Sequence, residues 1–130
     1  GNWLIIAGKP IEKTVNTTTI SSSITCLPHA EGNSLQNLLM NSKVVICRSG
    51  YTSLMELVAL NKQAILIPTP GQTEQQYLAE KLCLEKQFAY INQAELTAEK
   101  LAVLFAGIHE FKPKHYPIFT DTPALYESIQ

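Results

Sequence analysis

Residues 43–53 read Lys43-Val44-Val45-Ile46-Cys47-Arg48-Ser49-Gly50-Tyr51-Thr52-Ser53. A short apolar run is followed here by a polar turn, and then by a stretch with apolar residues at helical spacing. A second apolar run, 64–67, leads in the same way into a long amphipathic stretch that starts near Thr73. Continuous apolar runs are typical of central parallel strands, which are covered on both faces. The pattern therefore predicts strand–helix units of a parallel sheet.

The alternation of strands and helices continues on both sides of this stretch. Further strands are predicted at 3–7, 20–27 and 88–91, and further helices at 33–40, 97–105 and after Asp121. The fold class is α/β, a Rossmann-like parallel sheet flanked by helices. We expect residues 1–109 to form one ligand-binding domain that is truncated at its amino end, and residues 110–130 to form a tail with a short helix.

Composition and charge exclude several classes of function. The 130 residues are 45% hydrophobic and 16% charged, as in one globular domain. A net charge of -1 provides no broad positive field for nucleic acid or anionic lipid. No apolar run approaches the ~18 residues of a transmembrane segment, and no signal peptide is recognised. The three cysteines and three histidines lack metal-like spacing, so we predict no metal site. Cysteines that fit reduced thiols better than disulfides, in a sequence with no recognised membrane or signal segment, predict a cytoplasmic location.

The turn after the 43–47 strand has the chemistry of a phosphate site. Ligands of open parallel sheets bind at the carboxyl ends of the strands. A helix that begins near Tyr51 would direct free N–H groups at such a ligand, and the hydroxyls of Ser49, Thr52 and Ser53 would add donors. Glu56 lies one helical turn further, where a carboxylate can accept hydrogen bonds from a ribose diol.

Other interpretations of this turn stay open. Serine and threonine cap helices in many proteins, and Glu56 could be a solvated surface residue. Gly50 allows a tight turn and a close backbone approach. Tyr51 could cover a ring of the ligand or pack at the start of the helix, and Arg48 could aid a phosphate or pair with an acid.

The turn after the 64–67 strand adds a second polar group to the same edge. Its sequence is Pro68-Thr69-Pro70-Gly71-Gln72-Thr73-Glu74-Gln75-Gln76, so Glu74, Gln75 and Gln76 begin a helix. Carboxamides both donate and accept hydrogen bonds, which suits sugar hydroxyls. Glutamate and glutamine are also ordinary helix formers on a solvated face.

Taken together, the two turns resemble those of a known family. The run Val44 to Gly50 followed by Ser53 and Glu56, and the Pro68 turn with Gln75-Gln76-Tyr77, are similar to the C-terminal, donor-binding domain of MurG-like GT-B UDP-sugar glycosyltransferases, glycosyltransferase family 28. The similarity covers roughly residues 3–105. It implies the C-terminal half of a GT-B fold, here without its first strand and helix.

The resemblance also implies roles for individual residues. Ser49, Gly50 and Ser53 match the phosphate-contacting turn, Glu56 matches the carboxylate that holds the ribose, and Gln75 and Gln76 match the positions that meet the donor sugar. The uracil would rest near Pro28 and His29. Thr73 and Ala79 depart from the family's usual Asp and Asn, which leaves the identity of the sugar open.

The function implied is inverting transfer of a hexose-type sugar from UDP to an unknown acceptor, without a metal or another cofactor. The general base is expected on an acceptor-binding N-terminal domain or partner chain, so no catalytic residue is assigned here, and the fragment alone is expected to be inactive. The alternatives are a UDP-sugar hydrolase or epimerase on the same scaffold, and a non-catalytic donor-binding subunit of a two-chain transferase.

Overall fold

The computed structural model describes residues 3–6, 18–21, 24–27 and 32–114. The chain divides into two compact units, Gly1–Asn41 and Ser42–Gln130. The helix predicted after Asp121 lies outside the described residues. The division into a binding domain at 1–109 and a tail at 110–130 stays a prediction.

The described residues of the first unit form a small mixed sheet and one helix. Its elements are β1 (Trp3–Ile6), β2 (Thr18–Ser21), β3 (Ile24–Leu27) and α1 (Gly32–Asn41). Strand β3 is central, parallel to β1 and antiparallel to β2. The prediction of one strand over 20–27 is therefore wrong, because two short strands share that region. The polar run of serines at 21–23 interrupts its apolar character.

The second unit is an α/β layer structure with a parallel sheet. Its elements are β4 (Val44–Cys47), α2 (Tyr51–Ala59), β5 (Gln63–Leu66), α3 (Thr73–Leu84), β6 (Ala89–Tyr90) and α4 (Ala98–Ala106), with short 3-10 turns at Gln93–Glu95 and Ile108–Glu110. The sheet order is β4-β5-β6. In register, Val44 is opposite Gln63 and Ile65 is opposite Ala89. The predicted fold class is confirmed by this parallel sheet and its helices.

Helices cover both faces of this sheet, which explains the continuous apolar runs. Successive residues of a strand point to opposite faces. One face carries Ala64 and Leu66 and packs in a cluster with residues of α2 and α3, namely Leu54, Leu57, Val58, Leu78, Ala79 and Leu82. The other face carries Ile65 and Ala89, against which residues of α4 and the segment after it pack. The central residues of these strands therefore need apolar side chains on both faces of the sheet.

The ends of the helices follow from local chemistry. Thr97 caps α4, since its Oγ1 accepts a hydrogen bond of 3.1 Å from the N–H of Lys100. Gly71, with φ +83°, lies in the turn before α3 and adopts the left-handed backbone that glycine favours. Asn61 and Lys86, with φ of 54° and 58°, lie just after α2 and α3 and turn the chain back toward the next strand.

Two glutamines fasten the end of the described chain to the amino ends of the strands. The Nε2 of Gln63 donates to the carbonyls of Ile108 at 3.1 Å and Phe111 at 3.2 Å. Gln87 is fully buried, and its Oε1 accepts from the N–H of Lys114 at 3.2 Å while its Nε2 donates to Glu85 at 2.7 Å. This amino edge is closed by the segment 108–114.

In the residues that the structure describes, each helix is too short and too polar to cross a membrane. The cytoplasmic location stays a prediction.

Candidate functional site

The two polar turns predicted to form a site lie side by side at the carboxyl edge of the second unit's sheet. Strands β4 and β5 are neighbours, and Cys47 pairs with Leu66 at their last residues. The N–H of Ile67 then donates to the carbonyl of Cys47 at 2.9 Å, so the segments that follow the two strands leave the sheet side by side. Residues 48–53 and 68–76 are therefore brought to one edge by the topology, as the sequence predicts.

Arg48 joins these two turns. Its Nη1 donates to the carbonyl of Ile67 at 3.2 Å and to the carbonyl of Pro68 at 3.3 Å, while the side chain stays exposed. The sequence offered two partners for Arg48, a phosphate or an acid. The structure shows a third role, in which the guanidinium of Arg48 connects the turn after β4 to the turn after β5.

Ser49 is fully buried and joins the same turns a second time. Its Oγ donates to the carbonyl of Gln75 at 2.7 Å. The phosphate contact assigned to Ser49 from the sequence stays a prediction. Because its hydroxyl proton is engaged with Gln75, any contact of this residue with a phosphate would use the backbone.

Gly50 is the N-cap of α2 and has an ordinary extended conformation, with φ -74° and ψ 150°. Most residues adopt these angles, so the backbone conformation at this position does not itself require glycine. Among the described residues, nothing lies within 4 Å of a Cβ placed on Gly50, so the space beside this residue is open there. The close approach of a ligand to this backbone stays a prediction.

The first N–H groups of α2 lie outside the hydrogen-bond pattern of the helix itself. Its N-cap residue is Gly50, which has no side chain to cap the helix, and the first backbone hydrogen bond of the helix runs from the N–H of Leu54 to the carbonyl of Gly50 at 3.0 Å. The N–H groups before Leu54 have no partner inside the helix. Thr52 is exposed and Ser53 is half-buried. The capping role that serine and threonine could have had is therefore not observed at α2.

The side chains of Tyr51 and Glu56, both on α2, lie in different environments. Tyr51 is half-buried and packs against the core beneath the sheet, which agrees with the second of its two interpretations. Glu56 is exposed one turn beyond Thr52. A solvated carboxylate at this position is free to accept hydrogen bonds from a ligand, and its ribose contact stays a prediction.

The glutamines at the start of α3 are both held by hydrogen bonds. The Oε1 of Gln75 accepts from the N–H of Thr69 at 2.8 Å, and the Nε2 of Gln76 donates to Oε1 of Glu80 at 2.8 Å. Glu74, in the first turn of α3, is exposed. The roles of Glu74, Gln75 and Gln76 toward a sugar stay predictions.

Several contacts at this edge were not predicted from the sequence. The separation of four between Gln76 and Glu80 is readable on a predicted helix. The bonds of Arg48 and Ser49 join residues 19 to 26 positions apart, and no local pattern indicates them. Pro28 and His29, predicted near the uracil, lie outside the described residues.

Cys47 turns toward the core at the end of β4. It packs against the buried cluster under α2 and α3, and burial raises its pKa from 9.0 to about 12. A thiol with this pKa stays protonated at neutral pH and is a poor nucleophile. Across residues 3–6, 18–21, 24–27 and 32–114, no group of three or more histidine, cysteine or acidic side chains could hold a metal ion.

A separate groove of about 570 Å³ lies beyond the end of β6, and the predicted site residues do not line it. Its lining includes Tyr90, Asn92, Glu95 and Lys100. Burial, and then the charge of Glu80, raises the pKa of Tyr90. The predicted site is instead an open edge made of two turns and two helix starts.

Comparison with known proteins gives a consistent result. The model of the glycosyltransferase family 28 C-terminal domain matches residues 6–118. No solved structure matches the chain at a significant level.

Three curated relatives carry the same name, UDP-N-acetylglucosamine--N-acetylmuramyl-(pentapeptide) pyrophosphoryl-undecaprenol N-acetylglucosamine transferase. The protein of Histophilus somni is 41% identical over 70 residues, which are 53% of this chain and 20% of that protein. The protein of Pasteurella multocida is 48% identical over 59 residues, 45% of this chain and 17% of that protein. The protein of Latilactobacillus sakei is 29% identical over 108 residues, 82% of this chain and 29% of that protein. The chain thus spans less than a third of the length of these relatives.

Proposed function

Because this chain belongs to the glycosyltransferase family 28 C-terminal domain family, we propose that it is the donor-binding half of a glycosyltransferase. It would bind a UDP-sugar for transfer of a hexose-type sugar to an acceptor, with inversion at the anomeric carbon. The names of the matched relatives state UDP-N-acetylglucosamine, which makes this nucleotide sugar the first donor to test. The acceptor-binding part would be an N-terminal domain or a partner chain.

The observation that carries the proposal is the meeting of two turns at one sheet edge. The start of α2 lacks a side-chain cap and, among the described residues, has open space beside Gly50, and Glu56 is exposed one turn further along the helix. The start of α3, with Gln75 and Gln76, is joined directly to this turn through Ser49. In a UDP-sugar the diphosphate joins the ribose to the sugar, and the edge offers polar groups suited to each of the three.

The chemistry of the edge favours departure of a diphosphate. Negative charge develops on the leaving UDP when the bond to the sugar breaks. N–H groups at the start of a helix stabilise such charge because they are fixed before the reaction and need no reorganisation. The described residues of this edge supply binding and orientation, and the base that activates the acceptor would come from the acceptor-binding part.

Titration with UDP tests this site. In an NMR titration, we expect shifts at residues 49–56 and 72–76, since these form the two turns. Shifts confined to other residues, for example to the groove beyond β6, would rule out the assignment.

The substitution Glu56→Ala tests the ribose contact. We expect calorimetry to show UDP binding weakened by about 1–3 kcal/mol, the usual cost of losing hydrogen bonds to a charged acceptor. Glu99→Ala is the matched control, because Glu99 is an exposed helical glutamate on α4. Equal effects of the two substitutions would argue against a direct contact of Glu56.

The alternatives differ in their products. A hydrolase on this scaffold would release free sugar, and an epimerase would return an altered UDP-sugar. Product analysis with the complete protein and UDP-N-acetylglucosamine separates these outcomes from transfer to an acceptor. A donor-binding subunit would instead show turnover only when a separate acceptor-binding chain is added.

A further inference from the structure

The groove of about 570 Å³ beyond β6 combines an apolar wall with a polar rim. Ile91 is buried directly after β6, and Leu104 of α4 packs in the cluster around it. Val103 also lines the groove, and 71% of its surface is exposed. The volume is many times the roughly 30 Å³ that one water molecule occupies, so whole side chains of a partner can enter.

The charged residues of the rim are more acidic than basic. Glu95, Glu99 and Lys100 line the groove and are exposed, which gives two carboxylates and one ammonium. Within the part of the chain that the structure describes, neither carboxylate has an ion-pair partner. Glu99 and Val103 are four residues apart on α4 and therefore share a face of the helix. The groove thus fits a partner with a lysine or arginine beside an apolar side chain, because opposite charges across an interface select the partner.

The groove opens at the edge of the sheet that carries the candidate donor site. Strand β6 lies beside β5 and runs parallel to it, so the chain leaves both strands at the same edge. Residues that follow Tyr90 are therefore at the carboxyl edge, where the two polar turns also lie. The amino edge is instead occupied by the segment 108–114, which Gln63 and Gln87 hold by hydrogen bonds. A partner that brings an acceptor to a sugar at the carboxyl edge approaches from the side on which the groove opens.

The matched relatives contain much more chain than the part that this protein covers. The matched segments make up 20%, 17% and 29% of three of them. In the proposed function the remainder of a complete transferase is the acceptor-binding part, either an N-terminal domain or a partner chain. This part has to meet the donor-binding part at the carboxyl edge, because the acceptor must reach the sugar there.

We propose that the groove beyond β6 is a docking surface for the acceptor-binding part. A lysine or arginine of that part lies against Glu95 and Glu99, and an apolar side chain beside it packs on Val103. The inference rests on the proposed function and names a contact surface for its partner. None of the residues assigned to the nucleotide sugar lines the groove, so docking and UDP binding can be measured separately.

Photo-cross-linking locates the contact. The photoreactive residue p-benzoylphenylalanine replaces Val103 in the complete protein, together with its partner chain if there are two. We expect a cross-link to a peptide of the acceptor-binding part, identified by mass spectrometry. The matched control places the same residue at Leu84, which is 85% exposed on α3 and does not line the groove. Any result in which position 103 gives no more of this cross-link than position 84 would overturn the proposed docking surface.

The sign of the partner's charge is tested by two substitutions at one position. Val103→Lys and Val103→Glu both replace an exposed apolar side chain on α4, and they differ in charge. The photoreactive residue is placed at Asn92, which also lines the groove. Against a basic partner we expect Val103→Lys to lower the cross-link yield roughly tenfold, and Val103→Glu to lower it by about threefold or less.

Leu84→Lys is the control for these two variants, since it makes the same apolar-to-lysine change outside the groove and should leave the yield unchanged. An equal fall in Val103→Lys and Val103→Glu would contradict a basic partner. An unchanged yield in both would overturn the docking surface itself.

Binding of UDP to the same variants separates the inference from the proposed function. We expect Val103→Lys to bind UDP within about twofold of the wild type, because one exposed charge outside the site has a small effect. Failure of the wild-type protein to bind UDP would count against the proposed function, whatever the cross-links show. Intact UDP binding, with no specific cross-link from position 103, would overturn the inference alone.

Discussion

The two edges of the second unit's sheet use glutamines in different ways. At the amino edge, Gln63 donates to two carbonyls, and the buried Gln87 uses both ends of its carboxamide. At the carboxyl edge, Gln75 and Gln76 use one end each. The same side chain thus closes the structure at one edge and keeps hydrogen-bonding capacity at the other. The difference shows that residue type alone does not reveal a binding site, whereas the partners of each atom do.

The largest expected effect follows from removing a glutamine that uses both ends. In Gln87→Met, the N–H of Lys114 and the carboxylate of Glu85 lose a buried partner. We expect the free energy of unfolding to fall by about 3 kcal/mol, because buried polar groups left without partners are costly. Chemical denaturation measures this value.

Gln76→Met is the matched control for that experiment at the other edge. It removes one exposed bond to Glu80, so its effect on unfolding should stay within about 0.5 kcal/mol. Similar losses for the two substitutions would contradict the distinction between the edges.

A smaller effect is expected from Ser49→Ala, which tests whether the carboxyl edge also depends on internal bonds. The substitution leaves the carbonyl of Gln75 without its buried donor. We expect a loss of about 1.5 kcal/mol in the free energy of unfolding. Thermal unfolding of Ser49→Ala and Ser53→Ala makes the comparison, since Ser53 lies on the same segment and is only half-buried. A larger loss for Ser53→Ala would show that the two hydroxyls have been assigned the wrong roles.

The smallest effect concerns Cys47, which lies at the carboxyl edge but points into the core. Burial raises its pKa to about 12 in the folded chain, from 9.0 for an ordinary solvated thiol. The folded state therefore holds the proton more tightly, and the contribution of Cys47 is complete below pH 9 and is lost as the pH rises from 9 toward 12. Between pH 7 and 8.5 we expect no dependence of stability on this group.

Unfolding across a pH series measures this dependence, with Cys47→Ala as the control that should lack the decrease above pH 9. Thiol labelling at pH 8 gives a second measurement, in which Cys47 should react roughly a hundredfold more slowly than a small free thiol. Labelling at the rate of a free thiol would contradict a buried, protonated Cys47.

The sequence predicted the second unit well because its signals are local. The apolar runs at 43–47 and 64–67 correspond to Val44–Cys47 and Gln63–Leu66, and the helix predicted from Thr73 is observed as Thr73–Leu84. The edge at which the polar turns meet also followed, since parallel strands place their carboxyl ends together. The first unit was less predictable, because β2 and β3 are short and polar residues lie between them.

The detailed contacts of the candidate site could not be predicted from the sequence. The sequence does not distinguish a serine that binds a phosphate from one that is hydrogen-bonded within the protein. Only the bond from Ser49 to the carbonyl of Gln75 shows where the hydroxyl proton is directed. Likewise, Gln75 and Gln76 are the same residue type. Which end of each carboxamide is hydrogen-bonded depends on Thr69 for Gln75 and on Glu80 for Gln76. The family resemblance is confirmed by the match over residues 6–118, while the roles of individual residues stay predictions.

The segment that covers the amino edge also has a consequence for the order of folding. Gln63 reaches its two carbonyl partners across 45 and 48 residues of sequence, whereas Ser49 and Gln75 are only 26 residues apart. During synthesis the residues of the carboxyl edge emerge before residues 108–114, so we expect the carboxyl edge to assemble first there. The residues proposed to bind the nucleotide sugar would be in place before the chain beyond Ile108 has docked.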